Sequence, residues 1–170
     1  MFSGVHVKNS YEFVLMCFDC SRVIVSDLPA LLPLLECNSF INNQLCCDHS
    51  ELVPRAIDWS ERSAYADLKA SCRFETPMHP RRITHSELIS VIIGCEVLYG
   101  NRSVWPHLWE CIRSSCASEN SLLYLCVTLR NARLDVDDFT SQYLMPNFSS
   151  VTECALSPLV VAVRAERLKL

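Results

Sequence analysis

Short runs of Val, Ile and Leu alternate along this chain with longer segments whose apolar residues recur at helical spacing. The predicted strands are 22–26, 52–57, 88–93, 122–129, 151–156 and 159–163. The predicted helices are 11–20, a Leu-rich segment beginning near Pro33 and reaching about Asn43, a segment from a Ser103 cap to Cys116, and 135–146. Strands that alternate with helices predict a parallel sheet with helices on both faces.

The end of the chain modifies this prediction. Its last two predicted strands follow each other without a long crossover, which favours an antiparallel strand near a sheet edge. A chain of 170 residues is long enough for one domain with a real core and short for two. We therefore predict a single α/β domain over residues 1–170, with a doubly wound, mostly parallel sheet and an antiparallel C-terminal strand.

Composition excludes several classes of function. The net charge of −4 offers no basic surface for nonspecific nucleic-acid binding. No apolar run approaches the roughly 20 residues of a membrane helix. The start, Met1 to His6, has no charged segment followed by an apolar one, so it does not resemble a secretory signal. We expect a cytoplasmic protein without a nucleic-acid or membrane partner.

The eleven cysteines are scattered, and most lie in apolar segments. In a chain without a secretory signal they are expected to be reduced and to pack as small apolar residues. Cys17 and Cys20 have zinc-like spacing, but no second pair answers them at the spacing of a zinc ribbon. Cys46 and Cys47, with His49 nearby, are equally isolated. We expect no metal site.

Polar groups stand at the ends of three predicted strands: Asp27, then Asp58 with Trp59, then Glu96 followed by Tyr99. In open α/β sheets, ligands bind at the carboxyl ends of the strands, so these groups are candidates for one site. Each also has a structural interpretation. Asp27 suits a helix N-cap, Trp59 a core position, Tyr99 packing under the next helix, and Glu96 an exposed strand end.

The order and spacing of these groups resemble the seven-strand, S-adenosylmethionine-dependent methyltransferases. The similarity is to the protein-lysine branch that includes the valosin-containing-protein methyltransferase. That family has Thr-Asp-Leu-Pro after a strand, with a Leu-rich helix and an Asn following; this chain has Ser26-Asp27-Leu28-Pro29 and Asn38. Its Leu-Asp-Trp corresponds to Ile57-Asp58-Trp59 here. Its Gly-Ala-Asp and acid-x-x-Tyr signature corresponds to Gly94-Cys95-Glu96 and Tyr99.

The resemblance implies a Rossmann-like methyltransferase fold, S-adenosyl-L-methionine as cofactor and a protein lysine as acceptor. Asp27 would hold the ribose hydroxyls, while Asp58 and Trp59 would bound the adenine. Cys95 would border the cofactor through its backbone. Glu96 and Tyr99 would be the catalytic residues that line the acceptor cavity. Glu96 stands where the family more commonly has Asp, one methylene shorter.

One part of the family pattern is missing. The family's first strand leads into a Gly-x-Gly-x-Gly turn, which should fall near residues 5–9, where this chain has no glycine. We expect an N-terminally truncated form of the fold, without its first strand and glycine-rich turn. Cofactor binding is then predicted to be weak or absent. Two alternatives stay open: a pseudoenzyme that acts as a protein-interaction module, and a small-molecule methyltransferase.

Overall fold

The computed structural model describes residues 22–43, 51–66, 91–98, 101–116, 120–129 and 133–169. The chain divides into two compact units, residues 1–58 and residues 59–170. Several predicted features lie outside the described residues: the helix over 11–20, the window at 5–9, most of the segment 60–87, Tyr99, Cys17, Cys20, Cys46, Cys47 and His49.

The first unit contains a strand-helix-strand arrangement. Strand β1 (Arg22–Asp27) is followed by a 3-10 turn (Pro29–Leu31), helix α1 (Leu32–Asn43) and strand β2 (Glu51–Ala56). Strands β1 and β2 pair in parallel, and the register ends with Asp27 opposite Ala56. Helix α1 therefore serves as the crossover that a parallel pair requires.

Helix α1 is fixed to the second strand by its last residue. The Asn43 side chain donates to the carbonyl of Leu52 at 3.0 Å and accepts from the Leu52 N–H at 2.8 Å. The helix buries Ser39 and Asn42, while Leu34 and Phe40 are exposed. Its buried side is thus more polar than a typical amphipathic helix would present to a sheet.

The second unit holds a four-stranded sheet in the order β3-β4-β6-β5. Its elements are α2 (Arg62–Ala66), β3 (Val91–Cys95), a 3-10 turn (Arg102–Val104), α3 (Trp105–Ser115), β4 (Leu122–Thr128), α4 (Arg133–Phe139), a π-helical turn (Thr140–Leu144), α5 (Met145–Asn147), β5 (Phe148–Ser157) and β6 (Val160–Leu168). Strand β3 is parallel to β4, and β6 is antiparallel to both β4 and β5. Strands β3, β4 and β5 consequently run in one direction.

The α/β class and the antiparallel C-terminal strand agree with the sequence prediction. Two details differ. The strands among the described residues form separate two-stranded and four-stranded sheets rather than one. The predicted Ser103 cap is wrong, because the Asn101 side chain accepts from the Ser103 N–H at 2.9 Å and caps the turn that precedes α3. Asn is a strong capping residue, and it stands two positions earlier than expected.

One face of the two central strands of the four-stranded sheet, β4 and β6, is buried. Alternate residues of β4 (Leu123, Leu125 and Val127) are at most 2 % exposed, as the period of two along a strand requires. They join one core cluster with residues of α3, α4, the π-helical turn, β5 and β6: Trp105, Leu108, Ile112, Val136, Phe139, Leu144, Phe148 and Val163. The rings of Trp105 and Phe139 meet edge to face, with centroids 5.6 Å apart. This packing makes β4 the rigid centre of the second unit.

The described segments contain neither a membrane-spanning helix nor a cluster of metal ligands. None of the helices in these segments is long and apolar enough to cross a membrane. No group of three or more His, Cys, Asp and Glu side chains within them is arranged to hold a metal ion.

Candidate functional site

Asp27 is the last residue of β1 and its side chain is exposed. Its Oδ1 accepts a hydrogen bond from the N–H of Leu28 at 2.8 Å, and its carbonyl accepts from the N–H of Ile57 at 2.9 Å. The N-cap of the following 3-10 turn is Leu28, which makes no side-chain capping bond. Asp27 therefore does not cap that turn. Its other carboxylate oxygen has no hydrogen bond among the described residues and is available to a ligand hydroxyl.

Asp58 lies at the same edge of the two-stranded sheet as Asp27. Since Asp27 pairs with Ala56, the buried Ile57 and the half-buried Asp58 extend just past it. The two carboxylates are thus held at the carboxyl end of one parallel pair, where ligands of α/β sheets bind. Both belong to the first unit.

Trp59 is half-buried and begins the second unit. It packs against that unit's apolar core. The structure therefore shows Trp59 packed on the core, as the structural interpretation of this residue expects. Its contact with adenine stays a prediction.

Glu96 follows β3 in the left-handed backbone region, with φ of 56°. Its N–H donates to the carbonyl of Cys126 at 2.9 Å. Its Oε1 accepts two hydrogen bonds from the last residue of β4, one from the N–H of Thr128 at 2.8 Å and one from the hydroxyl at 2.5 Å. Non-glycine residues rarely adopt this conformation, and when they do it is often at a functional site. Glu96 is thereby held in one position at the carboxyl edge of β3 and β4.

Gly94 and Cys95, the two residues before Glu96, lie beside residues of β4. A Cβ added to Gly94 would lie 2.8 Å from Cδ2 of Leu125 and 3.0 Å from Cγ2 of Val97, so a side chain does not fit there without movement. Cys95 pairs with Cys126 across the parallel ladder and is exposed. Its backbone stands at the strand end where the resemblance places the cofactor.

The structure brings together Asp27 with Asp58 in the first unit, and Cys95 with Glu96 in the second. Thr128, the residue that fixes Glu96, was not identified from the sequence. Two signals were available. Thr128 is the second-last residue of the predicted strand 122–129, and the carboxyl ends of neighbouring parallel strands meet at one edge.

Among the described residues, Asp27 has the chemistry to bind the ribose of a nucleoside cofactor. An exposed carboxylate with an oxygen to spare, as at Asp27, accepts hydrogen bonds from vicinal hydroxyls. Residues 5–93 contain no glycine, so this segment offers no glycine turn for the methionine part of that cofactor. The fit is therefore partial.

A cavity of about 330 Å³ lies elsewhere in the second unit. Arg133 lines it and is paired with Asp137 at 2.9 Å and with Glu153 at 2.6 Å. None of the predicted site residues lines this cavity.

The chain is similar to known proteins at the level of the fold. No family model matches the chain, and no curated protein matches it. Among solved structures it is similar to the "putative Methyltransferase from Pseudomonas syringae", with a TM-score of 0.50 and 11 % sequence identity. The match covers 87 % of this chain and 74 % of that one. At this identity the likeness concerns the fold alone, and it supports the Rossmann-like α/β fold.

Proposed function

We propose that this chain is an S-adenosyl-L-methionine-dependent methyltransferase domain of the protein-lysine type, with weak cofactor binding in the form given by this sequence. The observation that carries the proposal is the placement of Glu96 at the carboxyl edge of β3. Its backbone is left-handed, and Thr128 holds its carboxylate in one position. The fold likeness and the three motifs at family spacing support it. The proposal treats residues 1–170 as one methyltransferase-like domain.

The chemistry of Glu96 suits an amine acceptor. A lysine ammonium has no lone pair and must lose a proton before it can accept a methyl group. Glu96 commits Oε1 to Thr128. Its other oxygen can accept a hydrogen bond from the amine and orient it, which is the main requirement of an in-line transfer. Tyr99 is proposed as the aromatic wall that excludes water from the same place.

The cofactor side is assigned to Asp27, Asp58, Trp59 and Cys95. S-adenosyl-L-methionine, when bound, would supply the methyl group. In this proposal Asp27 accepts from the ribose hydroxyls, Asp58 and Trp59 bound the adenine, and the Cys95 backbone borders the ligand. The methionine part of the cofactor is expected to be held weakly, because residues 5–93 contain no glycine that could form the family's turn.

A second candidate, a protein-interaction module on this scaffold, is favoured by one surface. Large apolar side chains of the first unit are exposed on and just before helix α1: Leu28, Leu31, Leu34, Phe40 and Ile41. Phe40 alone is 68 % exposed. A contiguous patch of exposed apolar groups often marks a surface that binds other proteins, and these five groups fall within residues 28–41.

Transfer of a labelled methyl group separates the candidates. The purified chain is incubated with a cell lysate and S-adenosylmethionine carrying a labelled methyl group, and label is counted separately in protein and in small molecules. A lysine methyltransferase puts label into protein lysines, and Glu96→Gln removes it. Glu36→Gln, a change of an exposed carboxylate on helix α1, leaves the label in place.

The other outcomes of the labelling experiment would favour a different function or a different role for Glu96. Label found only in small molecules would favour the small-molecule alternative. Complete absence of label at millimolar cofactor would overturn the enzyme proposal and favour the interaction module. Equal labelling by the wild type and Glu96→Gln would remove Glu96 from the mechanism.

A further inference from the structure

Two cysteines face each other across the parallel strands of the second unit. Cys95 is the last residue of β3, and the register places it opposite Cys126 of β4. Neighbouring strands lie about 4.8 Å apart, and paired residues point to the same face of the sheet. Disulfides form when the Cα atoms are about 4.4 to 6.8 Å apart. The backbone spacing at this pair therefore suits a disulfide, and both thiols are free in the structure.

The two thiols differ in accessibility. Cys95 is exposed, whereas Cys126 is half-buried. Burial raises the pKa of the Cys126 thiol, and the nearby Cys95 and Glu96 raise it further. A reagent in solution thus reaches Cys95 first, while Cys126 is protected from it and lies next to its partner.

We propose that Cys95 and Cys126 form a modification site, a thiol pair that is reversibly oxidised to an intramolecular disulfide by a low-molecular-weight disulfide. The thiolate of Cys95 attacks one sulfur of the oxidant, which forms a mixed disulfide and releases one thiol. The thiolate of Cys126 then attacks the Cys95 sulfur and releases the second thiol. Two protein thiols are oxidised, one small disulfide is reduced to two thiols, and the two protons pass to those released thiols.

The sheet supplies an internal control in Cys154. On the other side of Cys126, Ala162 of β6 pairs with Cys126 and also with Cys154 of β5. Cys95, Cys126, Ala162 and Cys154 therefore form one row on one face of the sheet. Cys154 is exposed like Cys95, but it is two strands from Cys126, about 9.6 Å, which is too far for a disulfide.

A disulfide between Cys95 and Cys126 would lie next to Glu96. Cys95 immediately precedes Glu96, and Cys126 precedes Thr128 by two residues. A covalent link between the strands would fix the segment that presents the Glu96 carboxylate. This consequence for methyl transfer rests on the proposed function, whereas formation of the disulfide does not.

The test is to map the cysteines after brief oxidation of the folded chain with glutathione disulfide. Free thiols are alkylated, and the chain is digested with trypsin and a protease that cuts after Glu. Trypsin alone leaves Cys116 and Cys126 together in peptide 114–130, and the second cut at Glu119 separates them. The expected product joins the Cys95 and Cys126 peptides with the loss of two hydrogens, and a dithiol reductant reverses it.

Two variants test the roles of Cys126 and Cys154 separately. Cys126→Ala should leave Cys95 as a stable mixed disulfide with glutathione, and Cys154→Ala should leave the Cys95–Cys126 link unchanged. A wild-type chain in which Cys95 carries glutathione while Cys126 stays alkylated would overturn the proposal. So would a link from Cys95 to Cys154, or no reaction at Cys95. The mapping in the wild type needs no variant, so a variant that fails to fold does not affect the conclusion.

Discussion

The carboxylate of Glu96 and the end of strand β4 are joined by two hydrogen bonds to Thr128, at 2.8 Å from its N–H and 2.5 Å from its hydroxyl. Glu96 has a left-handed backbone, which costs energy for a residue with a Cβ. The bonds to Thr128 therefore compensate for an unfavourable conformation. They hold the Glu96 carboxylate in one position at the carboxyl ends of β3 and β4.

The strain at Glu96 predicts an unusual order of stability. Glu96→Gly and Glu96→Ala both remove the carboxylate, but only glycine adopts a φ of 56° without cost. Glu96→Gly should therefore be the more stable of the two, by about 1 kcal/mol in urea unfolding. At Glu36 in helix α1 the order should reverse, because glycine weakens a helix interior by about 1 kcal/mol relative to alanine. Equal stability of the two Glu96 variants would contradict the assigned conformation.

We predict that the Thr128 hydroxyl stabilises the fold only through its hydrogen bond with Glu96. Thr128→Val keeps the shape of the side chain and removes the donor, so we expect a loss of about 1 kcal/mol in the free energy of unfolding. Thr152→Val, at an exposed position of β5, is the matched control and should change little. In a Glu96→Ala background the cost of Thr128→Val should disappear. A cost that persists there would show that the hydroxyl acts elsewhere.

Gly94 is predicted to be required for packing. Gly94→Ala places a Cβ 2.8 Å from Cδ2 of Leu125, a buried side chain with little room to move. Overpacking of this kind costs about 1 to 3 kcal/mol, measurable by urea unfolding. Leu125→Val removes the δ carbons, so Gly94→Ala should cost less in that background. An equal cost in both backgrounds would rule out the contact with Leu125 as the cause.

Much of this architecture could be predicted from local sequence. The β-branched run before Asp27 and the apolar run from Leu122 to Leu129 each predict a strand from a few neighbouring residues, and both became strands. The Asn101 cap was missed because Ser103 and Asn101 are both good caps, and which one is used depends on where the helix starts. Contacts such as Glu96 with Thr128 are 32 residues apart in sequence. They depend on strand register, which a single sequence does not specify.

Cys111 gives a prediction for pH dependence. Burial raises the pKa of this thiol from 9.0 to about 11, although a hydrogen bond with Ser115 opposes the shift. Between these values the folded chain keeps a proton that the unfolded chain releases, so stability should fall as pH rises from 9.0 to about 11. Allowing for the partial exposure of the side chain, the loss should be on the order of 2 kcal/mol.

The measurement is urea unfolding at several pH values with Cys111→Ala beside the wild type. The variant should lose less stability than the wild type over this range. The exposed Cys154, changed to Ala, should leave the wild-type slope intact. Identical slopes for Cys111→Ala and the wild type would contradict the raised pKa.

Cofactor binding tests the central claim most directly. S-adenosylmethionine and adenosine are titrated into the wild type, Asp27→Ala, Trp59→Ala and the control Glu36→Ala, with binding read by calorimetry and by ligand-observed NMR. The account predicts that both ligands bind the wild type and Glu36→Ala more weakly than micromolar, and that Asp27→Ala and Trp59→Ala lose this binding. Micromolar affinity for S-adenosylmethionine would contradict the predicted effect of the missing glycine turn. Binding unchanged in Asp27→Ala, or no adenosine binding by the wild type, would contradict the claim that the chain holds an adenosine cofactor.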